Sequence, residues 1–386
     1  MKKIGCVICY TPNHNNYGTS LQAYAMLKKI QQLGFDVEVI NYIKRLTPIE
    51  KIKYLWNAFR CGELKKVFRI FLIKKKKKEF PEYAQGLKER TFAVNRYKEN
   101  KIAPFLKDYI GFQQLEQGSK KYDAVVVGSD QVWTPLSLPN RFFNLLFVDD
   151  SVKKIAYASS FGVSEIPRFQ WKRTGEYLDR FFVVGVREKR GKEIVDSLSH
   201  KTATVVADPT LLLSQNEWID EINESLVSPS GPYIFCYLIS ENENARRIAQ
   251  EFGKKKKMKI IAIRHMEQYR AVDETYGDEA PYNVGPNDFL KYISNATYVI
   301  TDSFHCSVFS IMFHRNFMTF YRSTEKAVNS RNSRIDSLFS VLGINRNHIF
   351  SGNIDDIESP VDWEHVDRQL IELRSESIDF LKNALL

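Results

Sequence analysis

Between Thr297 and Phe320 the chain reads TYVITDSFHCSVFSIMFHRNFMTF, and this stretch leaves few folds open. Tyr298, Val299 and Ile300 form a β-branched and aromatic run, whereas Val308, Ile311 and Met312 recur at helical spacing. A buried strand therefore passes into a helix at the polar corner Asp302-Ser303-Phe304-His305, which is the unit of a parallel α/β sheet. Ser303 is placed to cap the helix, and His305 then falls in its first turn, beside backbone N–H groups that lack intrahelical partners. Corners of this kind at the carboxyl ends of strands suit phosphates and carboxylates, and His305 adds a group that titrates near neutral pH. The alternative is that Ser303 only caps and His305 only packs.

The same grammar recurs along the chain. Lys3 to Tyr10 reads as a strand, Ser20 to Leu33 as a helix and Asp36 to Tyr42 as a second strand, with an Asn- and Gly-bearing loop at the first strand's carboxyl end. That loop has neither GxGxxG nor a P-loop lysine, which disfavours a dinucleotide or Walker-type site. Residues 48 to about 118 are rich in lysine and lack strand alternation, and read as a largely helical insertion. Sheet resumes at Tyr122, and the strand to Val127 ends in Gly128-Ser129-Asp130-Gln131-Val132-Trp133. Strands follow at Lys154–Ser159, Phe182–Val186 and Ala203–Val206, then a capping box at Ser214 to Glu217 and a linker, Val227-Ser-Pro-Ser-Gly-Pro232. Beyond it come strands Tyr233–Ile239 and Met258–Arg264, helix Pro286–Asn295, the opening corner, strand Phe317–Tyr321 and a terminal helix Trp363–Leu385. At 386 residues and about 150 per domain, two α/β domains are expected. The first spans 1–225 with its helical insertion, and the second spans 232–386 with the terminal helix.

Several classes of function are disfavoured. The amino terminus reads as a first strand and not a signal peptide, and no window approaches the ~18 apolar residues needed to cross a bilayer, so a cytoplasmic protein is expected. Five scattered cysteines fit a reducing compartment, and Cys6 and Cys9 lie inside a presumed strand, which favours packing over metal or redox chemistry. No cluster has metal-ligand spacing, so no catalytic metal is expected. The net charge of +10 points to anionic partners, but the lysine runs at 74–78 and 254–257 sit in no nucleic-acid motif, so nucleic acid is not expected. Between Lys51 and Lys78 basic residues interleave with Tyr54, Trp56, Phe59, Phe68 and Phe71, a mix suited to an anionic membrane surface or to a plain solvated face. Peripheral attachment at the inner membrane face is the corresponding expectation.

Five motifs in order resemble the polysaccharide pyruvyl transferase family: Asn16-Tyr-Gly-Thr-Ser-Leu-Gln-Ala23, Tyr122-Asp-Ala-Val-Val-Val-Gly-Ser-Asp-Gln-Val-Trp133, Gly185-Val-Arg-Glu188, Asp208-Pro-Thr-Leu211 and Thr301-Asp-Ser-Phe-His305. Any one is common; five in sequence are specific. The resemblance implies a fold similar to GT-B glycosyltransferases, two Rossmann-like domains facing across a cleft. It implies that phosphoenolpyruvate donates its carboxyvinyl skeleton to a hexose of a bacterial surface glycan, giving a pyruvate ketal and releasing phosphate. Phosphoenolpyruvate is a co-substrate here and no cofactor is implied. The acceptor is a glycan or a lipid-linked sugar. Two rivals share this fold: a nucleotide-sugar glycosyltransferase and a non-catalytic glycan-assembly protein.

The donor's phosphate and carboxylate call for fixed cations, and arginine binds both bidentately. The reaction also needs an acid and a base. By resemblance, His305 takes one of these roles or hydrogen-bonds the phosphate, and Asp302 either orients His305 or pairs with an arginine. Family members with Arg-Leu-His at this corner use the arginine to hold the donor. Here that place is Ser303, so the cation must come from elsewhere, with Arg187, Arg264, Arg331 and Arg334 as candidates and a surface salt bridge as the alternative for each, the favoured one for the last three. Ser129, Asp130, Gln131 and Trp133 are assigned to the cleft wall of the first domain, Trp133 either holding sugar or plugging the core. Asn16 binds ligand or satisfies a local turn.

Overall fold

The structure is a computed structural model of the chain that describes residues 1–11, 15–322 and 332–386, with the backbone alone for 65–72. The first half contains β1 (Lys3–Val7), α1 (Tyr17–Gln32), β2 (Asp36–Ile43), α2 (Pro48–Arg60), α3 (Leu64–Glu79), α4 (Pro81–Lys101), β3 (Leu106–Ile110), α5 (Gly111–Ser119), β4 (Ala124–Val127), β5 (Lys153–Ser159), α6 (Trp171–Asp179), β6 (Val183–Val186), α7 (Lys189–Leu198), β7 (Ala203–Val205) and α8 (Gln215–Asn223). The second contains β8 (Tyr233–Tyr237), α9 (Glu243–Lys256), β9 (Lys259–Ala262), α10 (Pro286–Asn295), β10 (Tyr298–Thr301), α11 (Phe304–Met312), β11 (Asn316–Thr319), α12 (Ser333–Leu342) and α13 (Trp363–Leu385).

The strands form a seven-stranded sheet in the order β3-β2-β1-β4-β5-β6-β7 and a four-stranded sheet in the order β11-β10-β8-β9, with every pair parallel. Parallel sheets are covered on both faces, which is why Ala124–Val127 and Tyr298–Thr301 are apolar almost throughout and wholly buried. The strand order reverses between β1 and β4 in one sheet and between β8 and β10 in the other. Both are doubly wound, Rossmann-like layers in a GT-B-like pair, and the carboxyl ends of their strands at each reversal are where such sheets take ligands.

Two helices cross between the halves. From α4, the buried Arg90 donates to the carbonyls of Tyr282, Arg264 and Pro281, so a helix of the first half grips the second. In return α13 lies against the first sheet: Ser377 Oγ accepts from Ala207 N at 2.9 Å, Arg374 Nε donates to Leu211 O at 2.7 Å, and Phe380 fills the space over Gly185. The terminal helix, which the sequence assigns to the second domain, also packs on the first. The region read as a helical insertion holds α2, α3, α4 and α5, but it also contains β3, an edge strand with only Tyr109 buried, whose charged outer positions hide the alternation. Among the described residues no helix is long and apolar enough to cross a membrane.

Candidate active site

At the carboxyl ends of the first sheet, the turn after β4 presents Ser129 and Asp130. Asp130 has a φ of 84°, a left-handed conformation that Asp tolerates better than most residues, and its carboxylate accepts from Thr19 Oγ1 at 2.8 Å and from Gln131 N at 2.8 Å. Arg187 follows β6 and Asp208 follows β7. Arg187 Nη1 donates to Asp208 Oδ2 at 2.8 Å, Ser129 Oγ donates to the same oxygen at 3.1 Å, and Asp208 Oδ1 takes the N–H and hydroxyl of Thr210. The guanidinium is 2% exposed and lies 4.9 Å from the Phe304 ring centre. Its Nε and Nη2 have no hydrogen-bond partner among the described residues; the closest carboxylate oxygen to Nε, on Glu188, stands at 3.7 Å. Those two donors form one edge of the guanidinium, the fork that fits a phosphate or a carboxylate.

The second sheet meets this group at the corner after β10. Ser303 caps α11 through Cys306 N at 3.5 Å, which sets Phe304 and His305 in the first turn with their N–H groups outside the helical ladder. His305 Nε2 comes within 3.6 Å of Asp208 Oδ2, close enough for charge attraction but longer than a hydrogen bond, and it has no hydrogen-bond partner among the described residues. Arg187 and His305, from different sheets, thus address one oxygen of one buried carboxylate. The ring fits there because residue 18, in the first turn of α1, is glycine. Asp302 spans the strand reversal of its own sheet, accepting from Ile239 N at 2.6 Å and Ser240 N at 2.8 Å. Arg322, just beyond β11, donates through Nε to Asp302 O at 2.6 Å.

The electrostatics follow from these contacts. Burial opposes ionisation of Asp208, yet His305 and Arg187 more than offset it and hold the carboxyl far below the usual range. Asp130 is lowered in the same way: burial opposes its charge, and Arg187, His305, the Thr19 hydroxyl and the Gln131 N–H together outweigh it. Burial works against the charge on Arg187, and Asp208, Glu188 and Asp130 reverse that and raise its pKa. The corner therefore keeps fixed opposite charges in a dry environment, with unpaired donors at its edge.

A cleft of about 1000 Å³, with Thr134–Leu136, Gly162, Trp171 and Arg190 of the first half and Arg322 of the second among its lining, connects to the corner through Arg322; Arg187, Asp208 and His305 do not line it. Gln131 packs against Gly162 at its wall.

Of the residues singled out in the sequence, Ser129, Asp130, Arg187, Ser303 and His305 converge. Asp302 supports the corner by pairing with Arg322 at 3.7 Å, while the carboxylate that approaches His305 is Asp208. Arg334 lies under Phe304, its guanidinium 5.7 Å from the ring centre. Asn16 is the N-cap of α1, accepting from Thr19 N at 3.2 Å. Two assignments do not fit a ligand-facing role. Trp133 is 4% exposed, packs among Phe161, Tyr177 and Phe181 and spends its indole N–H on Phe143 O, so it plugs the core. Arg264 is turned to Glu274 and to the Tyr282 hydroxyl. Arg331 lies outside the described residues. Arg322 and Asp208 are site residues that the sequence reading does not assign; each stands just past a strand's carboxyl end, and Asp208 also opens the Asp208-Pro-Thr-Leu211 motif.

The family model for polysaccharide pyruvyl transferase matches residues 16–324. No curated protein matches the chain. Among solved structures, the UDP-GlcNAc 2-epimerase from Neisseria meningitidis bound to UDP-GlcNAc is similar at 9% identity over 98% of this chain and 93% of that one, with a TM-score of 0.49. The UDP-N-acetylglucosamine 2-epimerase from Rickettsia bellii has 10% identity over 99% and 98% of the two chains and a TM-score of 0.45. The E. coli heptosyltransferase WaaC with ADP-2-deoxy-2-fluoro heptose has 11% identity over 86% and 95%, with a TM-score of 0.36. These likenesses bear on neither activity nor ligand. The family match, by contrast, spans most of the sequence and takes in the cleft, the Arg187–Asp208 pair and the His305 corner: the chain belongs to the polysaccharide pyruvyl transferase family.

Proposed function

We propose that this chain transfers the carboxyvinyl skeleton of phosphoenolpyruvate to two hydroxyls of a glycan hexose, forming a pyruvate ketal and releasing phosphate. The observation that carries this reading is the free Nε/Nη2 edge of a buried Arg187 beside an unpartnered His305 Nε2. A guanidinium fork out of water, next to helix N–H groups, supports a small dianion or trianion better than it supports a neutral sugar. Arg322 takes the place of the cation missing at Ser303, because Nε is committed to Asp302 O while the side chain lines the cleft.

In this mechanism a proton is added to the methylene carbon of the donor, leaving an oxocarbenium-like centre at the carbon that bears the phosphate. One sugar hydroxyl attacks that carbon, the C–O bond to phosphate breaks, and the second hydroxyl closes the ketal. Two hydroxyl protons are lost in all; one balances the proton gained by carbon and the other leaves on phosphate. His305 exchanges a proton in this sequence or donates to the departing phosphate.

The test is phosphate release with phosphoenolpyruvate and a panel of hexosides, run beside a panel of nucleotide sugars. Release that needs both phosphoenolpyruvate and a hexoside is expected, and His305→Ala should lower it by about 10²–10⁴-fold. Turnover driven by nucleotide sugars alone would assign the cleft to glycosyl transfer.

A further inference from the structure

The helix α2 turns its apolar face to solvent. Ile49, Ile52, Trp56 and Phe59 recur at helical spacing on one side, with Ile52 66% and Trp56 61% exposed, and Trp56 and Phe59 stack with their centroids 5.6 Å apart. The opposite side holds the helix to the body. Ala58 is its one buried residue, Asn57 Nδ2 donates to Pro135 O at 3.1 Å, and Asn57 Oδ1 accepts from Gln170 Nε2 at 2.9 Å. A capping box between Thr47 and Glu50, with Pro48 opening the first turn, builds the helix without help from a partner. From residue 45 to residue 60 the charges are Arg45, Lys51, Lys53 and Arg60 against Glu50 alone. At its end, Arg60 and Cys61 line the cleft.

We infer that α2 is a docking face for an anionic lipid bilayer, inserting Ile49, Ile52, Trp56 and Phe59 among the acyl chains and holding the mouth of the cleft at the membrane surface. An amphipathic helix with bulky apolar and aromatic residues on one side and basic ones flanking them matches such a surface in both hydrophobicity and charge. A second copy of the chain fits less well, because two such segments, each with Arg45, Lys51, Lys53 and Arg60 against Glu50 alone, would bring like charge together. The lysine run at 74–78 contributes less to a flat face, since Lys76 pairs with Glu79 at 3.0 Å and sits 4.9 Å from the Phe80 ring centre.

The inference is independent of the transfer reaction and is tested without it. The full chain is sedimented with vesicles of phosphatidylcholine, alone or mixed with phosphatidylglycerol, at low and high salt. The expected result is binding to the mixed vesicles only, weakened by salt. Lys51→Gln and Lys53→Gln should each lower the partition coefficient about fivefold, from roughly 1 kcal/mol per basic residue. The double variant Ile52→Glu/Trp56→Glu should abolish binding while keeping the wild-type melting temperature, because both side chains lie in solvent. Absence of binding to the mixed vesicles would overturn the inference, as would binding unchanged in the double variant. A wild-type dimer in sedimentation equilibrium that the double variant dissociates, with no vesicle binding, would assign the face to a second copy.

Discussion

Gly18 lies so close to His305 that a β-carbon on it would collide with Nδ1 and Cγ of the ring. One residue belongs to the first turn of a helix from the first sheet, the other to the first turn of a helix from the second. Glycine is needed here for close approach, and the contact fixes how the two carboxyl-end corners face each other.

Gly18→Ala is therefore expected to displace the His305 ring. The gain in helix propensity, up to about 1 kcal/mol, opposes an overpacking cost of about 1–3 kcal/mol, so melting should change little. Turnover should fall on the order of 10²-fold, as for a catalytic group moved by about 1 Å. Steady-state kinetics beside a thermal melt checks this, and wild-type turnover would remove His305 from the machinery.

Asp208→Asn leaves the Arg187 charge buried without its carboxylate, and should lower stability by about 3–5 kcal/mol. The dependence on pH has a definite sign. The folded pKa of Asp208 is depressed below its unfolded value, so its stabilisation is complete above about pH 4 and is lost as pH falls through the folded value. Urea unfolding of both proteins should show a constant gap from neutral pH down to about pH 4 and a narrowing gap below it.

Arg322→Gln should raise the KM for phosphoenolpyruvate by roughly 10- to 100-fold, the worth of a hydrogen bond from a charged donor. Its hydrogen bond goes to the backbone carbonyl of Asp302, the Asp302 carboxylate at 3.7 Å keeps the Ile239 and Ser240 N–H groups, and the side chain borders the cleft, so melting should stay near wild type. An unchanged KM would show that Arg322 only braces the loop.

Trp133→Ala should cost about 3–5 kcal/mol in unfolding free energy by opening a cavity among Phe161, Tyr177 and Phe181. A loss of acceptor affinity at unchanged stability would instead return this residue to the sugar site.

The sequence was most informative where the signal is local. Helices α10 and α13 have the expected bounds because Pro286 and Asp362 mark their starts, and the corner at Ser303 reads directly because cap, strand and helix are contiguous. What periodicity does not carry is which corners meet. Asp208 approaches His305 from nearly a hundred positions away, and nothing in either motif identifies the other as its neighbour. The face that α13 covers is illegible for the same reason, since an apolar stripe shows that a helix packs without showing on what. Trp133 was ambiguous because a buried aromatic and a sugar platform have the same composition, and only the partner of its indole N–H separates them.

The most direct measurement is a crystal structure with a non-reactive phosphonate analogue of phosphoenolpyruvate. Its anionic groups are expected within hydrogen-bond distance of Arg187 Nε and Nη2, with His305 Nε2 in contact, between the carboxyl ends of the two sheets. An analogue held in the cleft and touching neither Arg187 nor His305 would contradict this placement.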